Sequence, residues 1–384
     1  MFKEKDILLT EANKKQKAKI QKTKMNPIQN ALNKARNINT PKSTKTSKYL
    51  NIIIVIATLV ILFIAFILII IKAIRTTKHK ISYKNLIPVA FSLNDNYTYP
   101  LIVLLTSILY NSAPDTFYVF YLLLNPDLSD KKIKKILEVK EKYPNCNIEI
   151  IHMGNKYSNY PHDYNKSVAV YYKLELSDLI TDFDKIIYLD VDTIVHKDLT
   201  EMYNLEMGKY YYLGFPDHDI SNYQLNGKNN YINTGVLLIN LKDLRKVNAT
   251  LLFQNYYNSH NTLKVDEYLI NSVFSDKISF LPFIYGIPDF GAGSNITVSP
   301  SNFCKEFQNF VNCSEIDMEN SSKNRIITHN CYEVIKWWNK NYTNLTDIGK
   351  KWLFYASKSN VFVDICKNYN QFGTQCEKIV KENK

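Results

Sequence analysis

The sequence predicts an α/β domain with a mostly parallel β-sheet covered by helices, placed behind one hydrophobic segment. Strand-like runs alternate with helix-like runs between residues 86 and 189. No internal repeat or Pro/Gly-rich linker divides residues 88–384, and this length suffices for one large α/β domain. Alternation of this kind is typical of parallel strands joined by helices that pack on both faces of the sheet.

The first segment, residues 1–49, is a basic tail. Residues 1–48 contain thirteen Lys or Arg and three acidic residues, without helical periodicity. This composition predicts a disordered cytosolic tail that meets acidic lipid head groups or sorting machinery. The tail and residues 72–87 together hold more than the whole formal net charge of +12, which leaves residues 88–384 slightly negative. We therefore expect no nucleic acid partner for the folded domain.

The second segment is a hydrophobic run over residues 52–71 in which Thr58 is the only polar residue. A run of this length can cross a hydrocarbon core about 30 Å thick. It is too long and too far from the start for a cleaved signal peptide, and it lacks a small-residue cleavage pattern. The sequence therefore predicts a single transmembrane signal-anchor helix over residues 50–71 and a stem over residues 72–87.

The orientation of this span follows from glycosylation sequons, because basic residues lie on both sides of it and leave the positive-inside rule undecided. All Asn-x-Ser/Thr sequons follow the span. They begin at Asn96, Asn165, Asn248, Asn295, Asn312, Asn320, Asn341 and Asn344. We therefore expect a single-pass type II membrane protein of the Golgi or endoplasmic reticulum, with a luminal domain over residues 88–384.

Six cysteines, an even number, suit an oxidising compartment. Fifteen full pairings are possible, and short separations favour Cys304–Cys313 and Cys366–Cys376. A zinc site is not expected, since the chain contains no Cys-x-x-Cys pair.

The elements of the domain are predicted in order from hydrophobic periodicity. Strands are expected over residues 86–93, 117–124, 148–153 and 185–189, and helices over residues 97–111, 129–142 and 167–180. Ligands bind beyond the carboxyl ends of strands in such a sheet. The ends of the first and fourth strands, at Asn94 and Asp190, should therefore open on one crevice.

Asp190 and Asp192 at the end of the fourth strand form a candidate cation site. Alternate side chains of a strand point to one side, so the two carboxylates can converge while Leu189 and Val191 face the sheet. Oxygen ligands suit Mg2+ or Mn2+, ions that commonly hold substrate phosphates. An Asp-x-Asp in a solvated turn is the alternative, and the other motifs of the chain decide between the two.

Those motifs resemble glycosyltransferase family 8, the retaining nucleotide-sugar transferases. The resemblance extends in order from about residue 87 to residue 338. Its landmarks are Asn94-Asp-Asn-Tyr97, Tyr172-Lys173-Leu174, Tyr188-Leu-Asp-Val-Asp-Thr-Ile-Val195, Tyr231-Ile-Asn-Thr-Gly-Val-Leu-Leu-Ile-Asn-Leu241, Asp266-Glu-Tyr-Leu-Ile-Asn271, and His329 followed by Lys336-Trp-Trp. It implies a GT-A fold, a UDP-sugar donor and transfer with retention of configuration.

The resemblance also implies roles for individual residues. Asp190, Asp192 and His329 match the ligands of Mn2+ or Mg2+, and Lys173 and Lys336 match cations that face the diphosphate. The expected donor-binding residues near the base and the cation are Ala90, Phe91, Ser92, Asn96, Tyr97 and Val191, with Tyr97 stacking on uracil. The residues expected around the donor sugar are Asp217, Asn233, Asp266 and Glu267, with Lys173, Asp217, Asp266 and Glu267 as the catalytic set. Gly235 permits close approach of the backbone to the ligand.

The chain departs from the family pattern at several positions. Glu267 stands where Gln is usual, and a carboxylate there could stabilise an oxocarbenium ion or form a transient glycosyl ester. The loop from His329 to Lys336 is one residue longer than usual and lacks a glycine and a proline, so its closure over phosphates should differ. Asn94 stands where Asp is frequent. Asn96 is both a nucleotide contact and a sequon, and we predict that it is unglycosylated.

The resemblance therefore implies a membrane glycosyltransferase that moves a sugar from a UDP-sugar to a luminal glycan or glycoprotein acceptor and requires Mn2+. An alternative is a membrane-anchored pseudoenzyme, or a lectin-like module that keeps the fold without turnover. A glycoside hydrolase fits less well, because its two carboxylates normally come from separate elements and flank the bond at about 5–9.5 Å.

Overall fold

The computed structural model describes residues 54–67, 83–160, 167–217, 231–260, 266–288, 320–321, 323–330, 336, 347–369 and 372–382. The chain divides into two compact units, Met1–Lys80 and Ile81–Lys384. In the first unit residues 54–67 are helical and their large apolar side chains are exposed. Within the described ranges, no helix has both the length and the hydropathy needed to cross a membrane. The predicted tail, both ends of the predicted span and residues 72–82 lie outside these ranges.

The second unit is built on a seven-stranded sheet. Its strands are β1 (Asn85–Leu93), β2 (Thr116–Leu124), β3 (Cys146–His152), β4 (Lys185–Leu189), β6 (Tyr212–Pro216), β7 (Ile232–Asn240) and β8 (Ile278–Phe280), in the order β3-β2-β1-β4-β7-β6-β8. All neighbours pair in parallel except β7, which is antiparallel to both β4 and β6. The predicted mostly parallel sheet is confirmed, with β7 as its one reversed strand.

A second, three-stranded sheet lies at the carboxyl end of β4. It consists of β5 (Thr193–Val195), β9 (Ile287–Pro288) and β10 (Ile327–His329), with β10 antiparallel to β5 and parallel to β9. The register places His329 opposite Thr193 and therefore beside Asp192. This small sheet brings a residue from late in the chain to the end of β4.

The helices flank the large sheet. They are α1 (Thr98–Tyr110), α2 (Asp130–Leu137), α3 (Val139–Lys142), α4 (Leu176–Leu179), α5 (Thr200–Tyr203), α6 (Leu241–Lys246), α7 (Ala249–His260), α8 (Asp266–Val273), α9 (Asp347–Ser357), α10 (Phe362–Asn368) and α11 (Gly373–Glu382). Helix α1 agrees with the prediction for residues 97–111, and eleven of its thirteen residues are buried. The helix predicted over residues 129–142 is divided at Glu138 into α2 and α3.

The helix predicted over residues 167–180 is mostly a 3-10 helix, Val168–Glu175, followed by the short α4. Ser167 begins it by accepting a hydrogen bond from the backbone N–H of Ala169. Most of its residues are buried, including the charged Lys173 and Glu175. The predicted helix is therefore present, but an apolar stripe at three- and four-residue steps does not distinguish a 3-10 helix from an α-helix.

The C-terminal helices complete the core next to α1. Trp352 of α9 is buried and stacks on Phe372, with ring centroids 5.7 Å apart. The predicted Cys366–Cys376 disulfide is confirmed and joins α10 to α11. The predicted Cys304–Cys313 pair lies outside the described residues. Cys146 is buried and free.

Candidate active site

A cavity of about 580 Å³ opens where β1 and β4 end and the reversed strand β7 begins. Its walls also include the 3-10 helix, α8 and β10. The lining residues are Ser92, Leu93, Asn94, Tyr97, Ser167, Ala169, Val170, Lys173, Tyr188, Asp190, Val191, Asp192, Asn233, Thr234, Gly235, Asp266, Glu267, His329 and Lys336. The crevice predicted at the carboxyl ends of the strands is therefore present.

Asp190, Asp192 and His329 converge on one side of this cavity. One ligand atom from each residue lies within 4.8 Å of the others. The imidazole Nε2 of His329 is 3.2 Å from Asp192 Oδ1 and 4.0 Å from Asp190 Oδ2. Asp192 and His329 are buried, whereas Asp190 is partly exposed. The structure brings together the three residues predicted as cation ligands.

Hydrogen bonds from several elements fix the two aspartates. The backbone N–H of Asp190 donates to the carbonyl of Gly235 on β7 (2.7 Å), and the Tyr188 hydroxyl donates to Asp190 Oδ1 (2.9 Å). The backbone N–H of Asn330 donates to the carbonyl of Asp192 (2.9 Å). The two candidate cation ligands are thus tied to β4, β7 and the end of β10.

The backbone of Gly235 lies close to His329 and Asp190. A Cβ atom at this position would lie 2.6 Å from His329 Nε2 and 2.8 Å from Asp190 Oδ2, so a side chain does not fit. Ligands of an octahedral Mg2+ lie about 3 Å apart when adjacent and about 4.2 Å apart when opposite. The separations of 3.2 and 4.0 Å found here lie within that range. Carboxylates suit both Mg2+ and Mn2+, whereas the imidazole of His329 favours Mn2+, which is a transition-metal ion. The residues therefore fit a divalent cation such as Mn2+.

Lys336 lies against the same ligands. Its Nζ is 2.5 Å from Asp192 Oδ2 and donates to the carbonyl of Asn330 (2.9 Å). Burial disfavours the ionised form of Asp192, but Lys336 and His329 outweigh it and hold the pKa of Asp192 well below its usual value. Asp192 therefore remains a carboxylate over the physiological range.

Lys173 connects the cation ligands with the other end of the cavity. Its buried Nζ is 2.8 Å from Asp266 Oδ2 and 3.6 Å from Asp190 Oδ1, and it donates to the Thr234 carbonyl (3.0 Å). Burial opposes its charge, yet Asp190 and Asp266 raise the pKa of Lys173 well above its usual value. Lys173 is therefore a permanent positive charge inside the site.

A second polar group lies at the far end of the cavity. The Nδ2 of Asn233 donates to Asp217 Oδ2 (3.2 Å) and to Glu267 Oε2 (3.3 Å), while its Oδ1 accepts from the N–H of Gly235 (2.9 Å). Burial, together with the charges of Asp217 and Asp266, raises the pKa of Glu267 to about 8. Glu267 is consequently mostly protonated at neutral pH.

Several predicted base contacts are placed differently. Ser92 and Tyr97 line the cavity, but Ala90 and Phe91 are completely buried in the sheet and do not line it. Asn96 is exposed and outside the lining, and Asn94 lines the cavity instead. The Oδ1 of Asn94 accepts a hydrogen bond from the N–H of Asn96 (3.1 Å). Asp217 is also outside the lining and reaches the site through Asn233.

Two supporting residues were not predicted as site residues. The hydroxyl of Thr234 donates to Asp266 Oδ2 (3.1 Å). The buried Asn271 accepts from the N–H of Ile232 (2.8 Å) and donates to the carbonyls of Ile232 (2.9 Å) and Glu267 (2.8 Å). A single sequence gives no signal for Thr234, and for Asn271 only its position one helical turn after Glu267.

Comparison with known proteins identifies relatives of part of the chain. The family model described as Glycosyl transferase family 8 matches residues 88–311. A Haemophilus influenzae protein provisionally named as a glycosyltransferase is 28% identical over 207 residues, which cover 50% of this chain and 61% of that protein. General stress protein A of Bacillus subtilis is 26% identical over 174 residues, which cover 44% of this chain and 60% of that protein. The chain thus spans about three fifths of the length of these curated relatives.

Solved structures share the fold. The bifunctional glycosyltransferase WbbM has a TM-score of 0.62 at 18% identity, covering 74% of this chain and 52% of that one. The galactosyltransferase LgtC, solved in complex with donor and acceptor sugar analogs, has a TM-score of 0.57 at 19% identity, covering 71% of this chain and 96% of that one. These likenesses support the predicted α/β GT-A fold. Because the family model matches more than half of its residues, the chain belongs to glycosyl transferase family 8.

Proposed function

We propose that this protein is a retaining glycosyltransferase that transfers a sugar from a UDP-sugar to a glycan or glycoprotein acceptor and requires Mn2+. One observation carries the proposal. The three cation ligands, the buried Lys173 and the polar group around Glu267 line or border a single cavity of about 580 Å³. A cation site beside a group of hydroxyl-binding side chains is what a sugar diphosphate requires.

The nucleotide end of the donor would lie near the end of β1. Tyr97 lines the cavity there and offers an aromatic ring on which uracil can stack. Ser92 and Asn94, which line the same end, offer polar groups to the base or ribose. We therefore place the base between Tyr97 and the end of β1, with the diphosphate extending toward Asp190 and Asp192.

Bond cleavage leaves extra negative charge on the departing diphosphate. When bound, Mn2+ supplies Lewis-acid stabilisation of that charge. Lys336 lies against Asp192, and its ammonium group would add a positive charge beside the phosphates. Lys173 holds a fixed charge behind Asp190 and keeps that carboxylate oriented.

The sugar end is recognised by planar polar groups. Asp266 is held by Lys173 and Thr234, and its carboxylate oxygens can accept hydrogen bonds from sugar hydroxyls. The neutral form of Glu267 can both donate and accept, which an amide at this position would also do. The site therefore offers complementary partners for several hydroxyl groups of a neutral hexose or pentose.

A screen of UDP release tests the proposed reaction. With Mn2+ present, the protein should release UDP from at least one of UDP-glucose, UDP-galactose and UDP-xylose. Asp192→Ala should lower that rate about a hundredfold or more, because a cation ligand is lost. Asp184→Ala removes a carboxylate with 64% exposure far from the cavity and serves as the control. Absence of metal-dependent release from every donor would favour the pseudoenzyme or lectin-like alternative.

Binding of the ion can be measured separately from turnover. Gly235→Ala should weaken Mn2+ binding about tenfold or more, since the added Cβ collides with His329 and Asp190. Electron paramagnetic resonance of free Mn2+ reports the affinity directly. Gly373→Ala is the matched control, because a Cβ there meets nothing within 4 Å. Equal affinities for the two variants would contradict the proposed ligand set.

We also propose that residues 50–71 anchor the domain in the membrane of the Golgi or endoplasmic reticulum. The exposed apolar side chains of residues 54–67, the sequons and the Cys366–Cys376 disulfide support this location. In microsomes, the domain should resist added protease until detergent is supplied, and a glycosidase should reduce its mass. Cleavage of the domain in intact vesicles, with no glycosidase shift, would contradict the orientation.

A further inference from the structure

A second cavity, of about 570 Å³, lies between the segment that follows β3 and helix α7. None of the residues that line it lines the active-site cavity. Both cavities border the 3-10 helix Val168–Glu175, which presents Lys173 to the active site and Glu175 to the second cavity. The second cavity is therefore a separate site built on a shared element.

One wall is a ridge of polar side chains on α7. Thr250, Gln254 and Asn258 follow one another at four-residue steps, so they lie on one face of the helix. Asn248, just before the helix, adds another amide. A primary amide both donates and accepts hydrogen bonds, as does a sugar hydroxyl. This wall is thus complementary to a molecule with many hydroxyl groups.

Two tyrosines also line the cavity. The rings of Tyr157 and Tyr160 meet edge to face, with centroids 4.8 Å apart. The buried Glu175 accepts a hydrogen bond from the Tyr157 hydroxyl (3.1 Å) and pairs with Lys156. Tyr157 also stacks on Tyr171 (centroids 5.5 Å apart) and Tyr160 on Tyr257 of α7 (3.7 Å). These contacts fix the two tyrosines in place at the edge of the cavity.

Two lining residues have a left-handed backbone conformation. Among the described residues, Tyr157 (φ 62°) and Asn248 (φ 53°) are the two non-glycine residues with positive φ, and both line this cavity. Asn248 follows the end of α6, where asparagine commonly adopts this conformation. Tyr157 is the uncommon case, and bulky residues in this conformation concentrate at functional sites.

The charges of the lining exclude an anionic ligand. Lys156 is the only cation among the described lining residues, and Glu175 already neutralises it. Asp178 adds a negative charge, so a phosphate or nucleotide would be repelled. The chemistry of the cavity favours a neutral ligand rich in hydroxyl groups.

We propose that this cavity binds a neutral sugar unit of a glycan, at a distance from the site of transfer. That the glycan is an acceptor rests on the proposed function. The same chemistry could come from an N-linked glycan on Asn248, which is exposed and begins the sequon Asn248-Ala249-Thr250. Both sources supply the same ligand class, and the experiment separates them.

The test uses the full chain produced in bacteria, without N-glycans, in detergent with Mn2+ and saturating UDP. Saturation-transfer NMR measures the affinity for lactose, maltotriose and chitotriose. The double variant Gln254→Ala/Asn258→Ala should bind its best sugar about fivefold more weakly or worse, because two amide partners are lost. The pair Asn255→Ala/Ser259→Ala, exposed on the same helix outside the lining, should change affinity less than about twofold.

Undetectable binding of all three sugars, or an unchanged affinity in the lining variant, overturns the proposal. UDP release is measured in the same proteins and should be unaffected by the lining variant. If UDP release is absent everywhere while the sugars still bind at α7, the proposed enzyme function fails and the sugar site stands. For protein from eukaryotic cells, tighter sugar binding after glycosidase treatment assigns the site to the Asn248 glycan, and unchanged binding assigns it to the acceptor.

Discussion

Lys173 is the residue whose removal should damage the domain most, because it is buried between carboxylates from both ends of the active site. Lys173→Met leaves Asp266 buried without its main partner and should cost about 3–5 kcal/mol in the free energy of unfolding. Lys242→Met breaks an exposed pair with Asp184 and should cost about 1 kcal/mol or less. Urea denaturation of the two variants measures the difference, and equal losses would contradict the assigned role.

Glu267 should make stability depend on pH. Its pKa of about 8 in the folded protein exceeds the usual 4.5, because of burial and the nearby Asp217 and Asp266, with Lys173 and Tyr231 opposing them. A raised pKa means that its contribution is complete below about pH 4.5 and is lost as the pH rises through about 8. Glu267→Gln should remove this loss of stability at high pH. Urea denaturation at pH 5 and at pH 9 measures it as the difference in the free energy of unfolding. An unchanged difference in the variant would refute the raised pKa.

The same variant tests the catalytic role of Glu267. A protonated carboxyl group is a poor nucleophile, so we now expect Glu267 to act as a hydrogen-bonding group rather than through a glycosyl ester. Glu267→Gln should therefore retain UDP release at pH 6.5 within about threefold. A hundredfold loss at that pH would instead restore the nucleophile or the oxocarbenium-stabilising role.

At the scale of elements, Asn271 joins helix α8 to strand β7. Its side chain makes three hydrogen bonds to the backbone of Ile232 and Glu267, and it thereby positions Glu267 relative to Asn233. Asn271→Leu should cost about 2–4 kcal/mol of stability and raise the KM for the donor more than it lowers kcat. Asn255→Leu on the exposed face of α7 is the control. A loss of stability without any change in KM would show that the hydrogen bonds of Asn271 have only a structural role.

The elements also show what a single sequence can predict. Strands β1, β2 and β4 were found because mostly apolar runs of five to nine residues mark buried strands. Strand β3 was found because apolar residues alternate with Asn147 and Glu149 along its first half. Strands β5, β9 and β10 contain two or three residues each and carry no periodic signal. Asp190 and Asp192 stood out by their spacing, whereas His329 needed the family resemblance. Thr234 and Asn271 acquire their roles only from their tertiary contacts, and no local sequence pattern predicts these contacts.

For the whole molecule, the separation of charge from the folded domain leads to a further prediction. The net positive charge and the hydrophobic run over residues 52–71 lie in the first unit, and Ile81–Lys384 forms its own compact unit. A protein lacking residues 1–80 should remain in the supernatant without detergent and bind Mn2+ within about twofold of the full chain. Sedimentation checks whether the shortened protein stays in the supernatant, and Mn2+ titration measures its affinity. Failure of the shortened protein to fold would show that the first unit stabilises the second.

The late position of the strand that carries His329 affects how the protein folds during its synthesis on the ribosome. The segment that matches the family model ends at residue 311, and β10 emerges only afterwards. The nascent chain can already form the large sheet, since domains begin to fold during synthesis. It nevertheless holds only two of its three cation ligands until residue 329 has been added. A chain that stalls before that point cannot assemble the complete candidate cation site.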